Sequence, residues 1–327
     1  MQRFTVLLLA VFVSCQSDAS ATAAAKTTGI PRFDAAVQRA AAYLREAVST
    51  TGGSAGVSVF AGYALLKTGD PIESSAVAGA IREAVEASTG TQYQGDRGYH
   101  HIYLAGVYAM LLSDIDPERY KGNLQSIANY IQSVQRADGS WSDSPTAAGD
   151  ISMSQYGVLG LWAAQRAGCT VSPEKVDLAA GFLMKNSNPD NGWPYRPGTN
   201  QGPGNGQSTH NMTMAASGSL LVTRLMLHGP RNPADKPKSV AVFGVLQKVE
   251  AQEEAAGAKA WPNYSAQHSA ADLDGSSNRG LGWNEARFDP VSKAEHNMYF
   301  YYCLSRICCV DLMRYSSAND VPTTFPV

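Results

Sequence analysis

Two kinds of apolar pattern alternate along the chain. In the first, apolar residues recur three and four positions apart, as in Phe33, Val37, Ala40, Leu44 and Val48, and again in Tyr120, Leu124, Ile127, Ile131 and Val134. That spacing gives a helix one apolar stripe and leaves its other face wet. Val77, Ile81 and Val85 start another such helix, Val176, Ala180 and Leu183 another, and Val242, Leu246 and Val249 a fifth. Pro71, Pro117, Pro173 and Pro237 stand at or just before four of these starts, where a first-turn N–H has no intrahelical partner to lose. The second kind is apolar nearly all round: Val57 to Leu66, Ile102 to Leu112, Tyr156 to Ala164, Met212 to Leu227 and Met298 to Ile307. A helix with no polar face must be covered on every side. Gly69, Gly168 and Gly229 end several of these segments. No sustained period-two alternation signals a strand.

The alternation predicts an all-α fold with amphipathic helices outside and apolar helices inside. Each outer–inner hairpin takes about 45–50 residues, within the range of helical-pair repeats. A short motif marks the joints. Gln135-Arg136-Ala137-Asp138-Gly139-Ser140-Trp141 follows one amphipathic helix and precedes an apolar one, and Asn188-Pro189-Asp190-Asn191-Gly192-Trp193 does the same a hairpin later. Tyr93-Gln94-Gly95-Asp96-Arg97-Gly98-Tyr99 reads as a copy with Tyr for Trp, and Gly282-Trp283 as a late copy. The chemistry of the motif is that of a joint. The Gln135 amide can bond helix-end backbone groups, Gly139 and Gly192 permit the tight turn, and Trp141, Trp193 and Trp283 can pack over a neighbouring helix.

Q-x-x-D-G-S-W at Gln135 to Trp141 resembles the QW repeat of the squalene cyclase and protein prenyltransferase superfamily. The resemblance runs from about Phe33 to Ile307. It implies an α/α toroid of about five to six helical hairpins, with the motif linking an outer helix to the next inner one. Ligands of such a toroid lie in a central cavity, so the polar and aromatic residues at the inner-helix starts become cavity-lining candidates: His100, His101, Tyr103, Ser154, Gln155, Tyr156, His210, Asn211, His296, Asn297 and Tyr299. His210-Asn211-Met212 and His296-Asn297-Met298 repeat one tripeptide at matching positions. These residues can form a polar rim, or they can simply cap and solvate helix starts.

The family's catalytic signatures are mostly missing. Squalene cyclases protonate substrate with D-x-D-D, whereas Asp272-Leu273-Asp274-Gly275 has Gly275 at the last position. It also sits in what reads as a polar loop, Ala271 to Gly280. Asp272 and Asp274 are therefore weak candidates for acid catalysis. A prenyltransferase zinc would need an Asp, Cys and His set, but Tyr299 stands where the His would fall and no Asp-x-Cys occurs. No metal site and no cofactor is expected. Asp272, Asp274, Glu285 and Asp289 form the only nearby carboxylate group for a polysaccharide-acting toroid.

Charge changes the picture only by exclusion. The chain of 327 residues carries a net charge of −2 with no Lys/Arg run, which argues against a nucleic-acid partner. At the N-terminus Arg3 precedes the short apolar run Phe4 to Val13, which reads as an export signal. Residues 1–21 form the signal peptide if Ala19-Ser20-Ala21 is the cleavage site. Alternatively Val13-Ser14-Cys15 is a lipobox, with Cys15 lipidated as the first mature residue. Residues 22–32 are then a tether, 33–307 the repeat domain and 308–327 an irregular tail. A lipid on Cys15 would be the only membrane attachment. The other cysteines, Cys169, Cys303, Cys308 and Cys309, define no disulfide framework. Five hairpins with a tail after Ile307 leave open whether a ring closes. Three functions follow as expectations: an exported, non-catalytic scaffold binding an apolar molecule or a protein; a terpenoid cyclase-like enzyme; and a polysaccharide-acting toroid enzyme.

Overall fold

The structure is a computed structural model that describes residues 31–51, 57–95, 98, 100–144, 147–229 and 261–287. All regular structure among the described residues is α-helical: α1 (Pro31–Thr51), α2 (Val57–Lys67), α3 (Ser75–Ser88), α4 (His101–Ile115), α5 (Lys121–Ser133), α6 (Ile151–Arg166), α7 (Pro173–Lys185), α8 (His210–His228) and α9 (Ala270–Arg287). The first eight form four hairpins in the order the apolar patterns predict. The first starts at Pro31, so the last two residues of the expected tether belong to the helix.

The layers follow from which faces must be covered. Helices α2, α4, α6 and α8 pack side by side in succession, while α1, α3, α5 and α7 each pack against their chain neighbours among them. Helix α5 buries Leu124, Ile127 and Ile131 and leaves Lys121, Gly122 and Asn129 exposed. Helix α6 is buried at every position from Ile151 to Ala164. The backbones of α4 and α6 nearly touch: a Cβ on Gly106 would lie 2.6 Å from the Tyr156 carbonyl oxygen. They run in the same direction, for Tyr103 meets Ser152 near their starts and Ser113 meets the Ala163 carbonyl near their ends. Toward the ends of α2 and α4, Lys67 pairs with Asp114, which also accepts the Tyr63 hydroxyl at 2.6 Å. Burial disfavours the Asp114 charge, but Lys67 outweighs it and holds the carboxyl below its ordinary range.

The two motif loops are built alike. Trp141 Nε1 donates to the Ile131 carbonyl at 2.8 Å, and Trp193 Nε1 to the Leu183 carbonyl at 2.7 Å. Asp138 accepts the Ser140 N–H at 3.0 Å, and Asp190 the Gly192 N–H at 3.1 Å. The turn residue between them has positive φ in both, Gly139 at 89° and Asn191 at 70°. Each Trp N–H then donates to a hydroxyl one turn inside the next inner helix, Ser154 or Thr213. Each Trp carbonyl accepts the N–H of that helix's N-cap, Asp150 or Thr209. The joint therefore satisfies helix-end backbone groups on both sides.

Helix α9 departs from the sequence reading. Asp272 and Asp274 lie in its first turns, not in a loop, and Trp283 lies in its last turns, not in a motif joint. Its buried face is Leu273, Ser276, Ser277, Gly280, Trp283 and Asn284, a helical spacing in which only Leu273 and Trp283 are large and apolar. A search for apolar stripes passes over such a face. Small residues serve here because α9 packs tightly on α8: a Cβ on Gly280 would press on the Ser217 hydroxyl of α8 and on Trp193. Helix α9 is antiparallel to α8, with Asp274 near Arg224 and Asn284 near His210. It also touches α7. The expected fifth hairpin, Val242 to Val249 with Met298 to Ile307, lies outside the described residues. So do the signal segment, Cys15, Cys303, Cys308, Cys309 and the tail.

Candidate functional site

The starts of α4 and α6 bring together a polar and aromatic group. Tyr103 projects from the first turn of α4 and Ser152 from the first turn of α6, and their hydroxyls lie 2.5 Å apart. The Ser152 hydroxyl donates to Asp150 Oδ1 at 2.6 Å. Asp150 is the N-cap of α6 and also accepts the Met153 N–H on Oδ1 at 3.0 Å. Tyr156, one turn further along α6, meets the Tyr103 ring edge-on at 4.9 Å and the Phe60 ring at 6.0 Å. Phe60 comes from α2, so three inner helices contribute. The loop after Trp193 adds Tyr195, which interacts with Asp150 and Tyr103, and Arg196.

Electrostatically the group is a buried carboxyl beside a closed ion pair. Asp150 is 0% exposed, and its Oδ2 makes no hydrogen bond; the Arg196 Nε sits 3.8 Å away. Burial pushes the Asp150 carboxyl above its ordinary value, against the opposing pull of Ser152, Met153, Tyr195 and Arg196. Arg196 is held by Asp143 at 2.8 Å. Burial also works against ionising Asp143, but the Arg196 hydrogen bond and charge outweigh it and keep the carboxyl low. Burial, then the charge of Asp150, drives the Tyr103 phenol far above its ordinary range. Phe60, Tyr103 and Tyr195 remain partly exposed, so the group reaches the surface.

The residues expected to line a cavity divide. His100 is exposed at the α4 N-cap, 6.0 Å from the Tyr103 ring, and belongs to the group. Its neighbour His101 does not: it is buried toward α5, with Nδ1 2.8 Å from the Tyr130 hydroxyl and Nε2 3.0 Å from the Ser142 carbonyl. Ser154 is spent on the Trp141 N–H, and Gln155 is buried. His210 faces α9, bonding Asn284 at 2.9 Å and meeting the Trp283 ring at 5.1 Å. Asn211 follows it at the half-buried start of α8. His296, Asn297 and Tyr299 lie outside the described residues.

The described acidic candidates do not converge, and Asp289 lies outside the described residues. Asp272 is exposed and exchanges first-turn hydrogen bonds with Ser269. Asp274, two residues on, turns toward Arg224 at 3.4 Å. Glu285 is exposed at the far end of the same helix. Among the joint residues, Gln135 donates to the Gly139 and Lys175 carbonyls at 2.9 Å each, tying its loop to the first turn of α7. Among the described residues no group of His, Cys, Asp or Glu could hold a metal ion, and no helix is long and apolar enough to cross a membrane.

Sequence reading passed over Asp150, Tyr195 and Arg196. The signal was present as Asp150-Ile151-Ser152, an acid at a helix start with a hydroxyl two residues on, and as a Tyr-Arg pair just past a motif Trp. No family model, no curated protein and no solved structure matches the chain.

Proposed function

We propose that the chain is an exported helical-hairpin repeat scaffold of the squalene cyclase and prenyltransferase type. It binds an apolar small molecule at the starts of its inner helices and does not cyclise it. The observation carrying this reading is the aromatic cluster of Phe60, Tyr156 and Tyr103 from three helices, with Tyr103 linked through Ser152 to one buried polar anchor, Asp150. An aromatic wall with one or two fixed polar groups is how small-molecule sites combine affinity with orientation. The twin Trp joints support the repeat class and, with it, the toroid. Export through the N-terminal segment, with Cys15 as a lipid anchor, belongs to the same proposal.

The test is native mass spectrometry of the purified protein, followed by solvent extraction. A co-purifying apolar molecule is expected, and Phe60→Ala should reduce its occupancy. A folded protein that is empty and takes up no apolar probe would overturn the ligand reading and favour a protein partner.

One observation favours a second, enzymatic reading: burial keeps Asp150 protonated to higher pH than an ordinary carboxyl, as acid catalysis requires. Turnover of an extracted isoprenoid by the wild type, lost in Asp150→Asn, would establish it.

A further inference from the structure

Residues 261–269, which lead into α9, are tied to α7 by one carboxyl. Asp177 is 2% exposed and accepts three hydrogen bonds from this segment. The Tyr264 hydroxyl donates to its Oδ2 at 2.9 Å, and the Gln267 N–H to the same oxygen at 2.5 Å. His268 Nδ1 lies 2.6 Å from Oδ1. Burial, then the Asp177 hydrogen bond, pushes the Tyr264 phenol up to about 12, so it stays a donor. The His228 ring holds the backbone as well, with Nε2 2.9 Å from the His268 carbonyl. Two donors to Asp177 already tether the segment, so an imidazole is not needed as a third.

The dyad fixes the state of that imidazole. A carboxylate only accepts, so His268 Nδ1 carries the hydrogen, and in the neutral ring Nε2 carries the lone pair. The His268 side chain is 26% exposed. Its Nε2 makes no hydrogen bond among the described residues and is not a buried atom, so the lone pair meets solvent. Gly181, one turn beyond Asp177 on α7, makes room for the ring: a Cβ there would lie 2.9 Å from Cε1 and 3.2 Å from Nε2. An imidazole oriented through one nitrogen by a buried carboxylate, with the other nitrogen open, is the arrangement that directs a reactive lone pair. Glu174 adds its field to that of Asp177 on this segment, and Lys185, one turn beyond Gly181, is exposed to water. Two carboxylates disfavour an anionic phosphoryl donor and leave a neutral carbonyl electrophile.

We propose that His268 is a nucleophile that takes the acyl group of a neutral activated ester or anhydride on Nε2, with Asp177 as its positioning residue. As the Nε2–C bond forms, the C–O bond to the leaving group breaks, and that oxygen departs with the electron pair. The ring, now positive, keeps its Nδ1 hydrogen toward Asp177. Water then adds to the acyl carbon, the C–N bond breaks with its electrons returning to Nε2, and the carboxylic acid and one proton pass to solvent.

The test is the rate at which diethyl pyrocarbonate, a neutral anhydride, labels each histidine of the purified protein, read by peptide mass spectrometry against N-acetylhistidine. His268 should label about tenfold faster than N-acetylhistidine, the span of one charge-assisted hydrogen bond. Hydrolysis of p-nitrophenyl acetate should fall in His268→Gln. Asp177→Asn should slow His268 to the rate of N-acetylhistidine while the exposed His100 labels as before. A carboxyl that only tethers gives the opposite result, because its loss frees the ring and His268 labels faster. Tyr264→Phe cuts one tether and keeps the dyad, so it should label at the wild-type rate even where Asp177→Asn fails to fold. Wild-type His268 labelling no faster than N-acetylhistidine overturns the proposal. So does unchanged or faster labelling in Asp177→Asn, slower labelling in Tyr264→Phe, or full ester hydrolysis in His268→Gln.

Discussion

The Trp141 and Trp193 units solve one folding problem with different residues. In both, an indole N–H ends the outer helix, an Asp closes the turn, and a hydroxyl inside the next helix receives the Trp N–H. They differ where the joint itself is indifferent. The first has Gln135 where the second has Ser187, Gly139 where the second has Asn191, and Asp150 where the second has Thr209. What the units share is structural, and what separates them falls into two classes. Gln135 and Gly139 tighten the packing of α7 onto the joint, while Asp150 belongs to the aromatic corner.

The largest effects should come from the shared residues. Both indoles are fully buried, Trp141 at 0% and Trp193 at 1% exposure. Replacing either by Ala should cost about 3–5 kcal/mol, read as a lower denaturant midpoint. The Phe variants should cost less, since they keep most of the packing and lose the bond to Ile131 or Leu183. Unequal costs for the two Ala variants would mean that the units carry different shares of the fold.

The turn residues should separate next. Gly139 combines a φ of 89° with a Cβ direction that meets the Leu178 carbonyl. Gly139→Ala should therefore cost about 2 kcal/mol or more, because strain and a backbone clash add. Asn191 holds a φ of 70° while exposed, so Asn191→Gly should be close to neutral. Gln135→Ala, which removes donors to the Gly139 and Lys175 carbonyls, should cost about 1–2 kcal/mol. Hydrogen exchange should show its effect at the start of α7, where no counterpart exists in the second unit.

These differences also mark what could be read from the residues alone. The hairpins α1 to α8 were legible because aliphatic stripes and all-apolar runs have unmistakable periods. The joints were legible because a Trp with an Asp-Gly turn is a rare word. Helix α9 was not, since the middle of its buried face is Ser276, Ser277 and Gly280, residue types that also spell a loop. At the site, Tyr103 and Tyr156 were found as helix-start residues. Asp150 was missed because an Asp at a helix start is usually an exposed cap, and only three-dimensional neighbours show it buried against Arg196. His101 and Ser154 misled for the opposite reason: their polarity serves Tyr130, Ser142 and Trp141 rather than a ligand.

The smallest change in stability, and the sharpest test of the comparison, should come from Asp150→Thr. The cap survives in kind, so stability at neutral pH should stay within about 1 kcal/mol of wild type. Its pH dependence should not. Burial raises the Asp150 carboxyl, so the folded chain keeps that proton to a higher pH than the unfolded chain does. Its contribution is therefore full below the ordinary carboxylate value of about 4 and declines as pH rises through the elevated one. Asp143 acts in the opposite sense. Its lowered carboxyl contributes stability above the ordinary value, which is lost as pH falls through the depressed one. Stability of the wild type measured across the acid range contains both slopes. Asp150→Thr should remove the decline on the rising side and leave the acid-side loss from Asp143, whereas Asp143→Asn should do the reverse. If Asp150→Thr leaves the pH profile unchanged, the buried carboxyl is no different from the threonine cap of its sister unit, and the two joints differ only in their fit to α7.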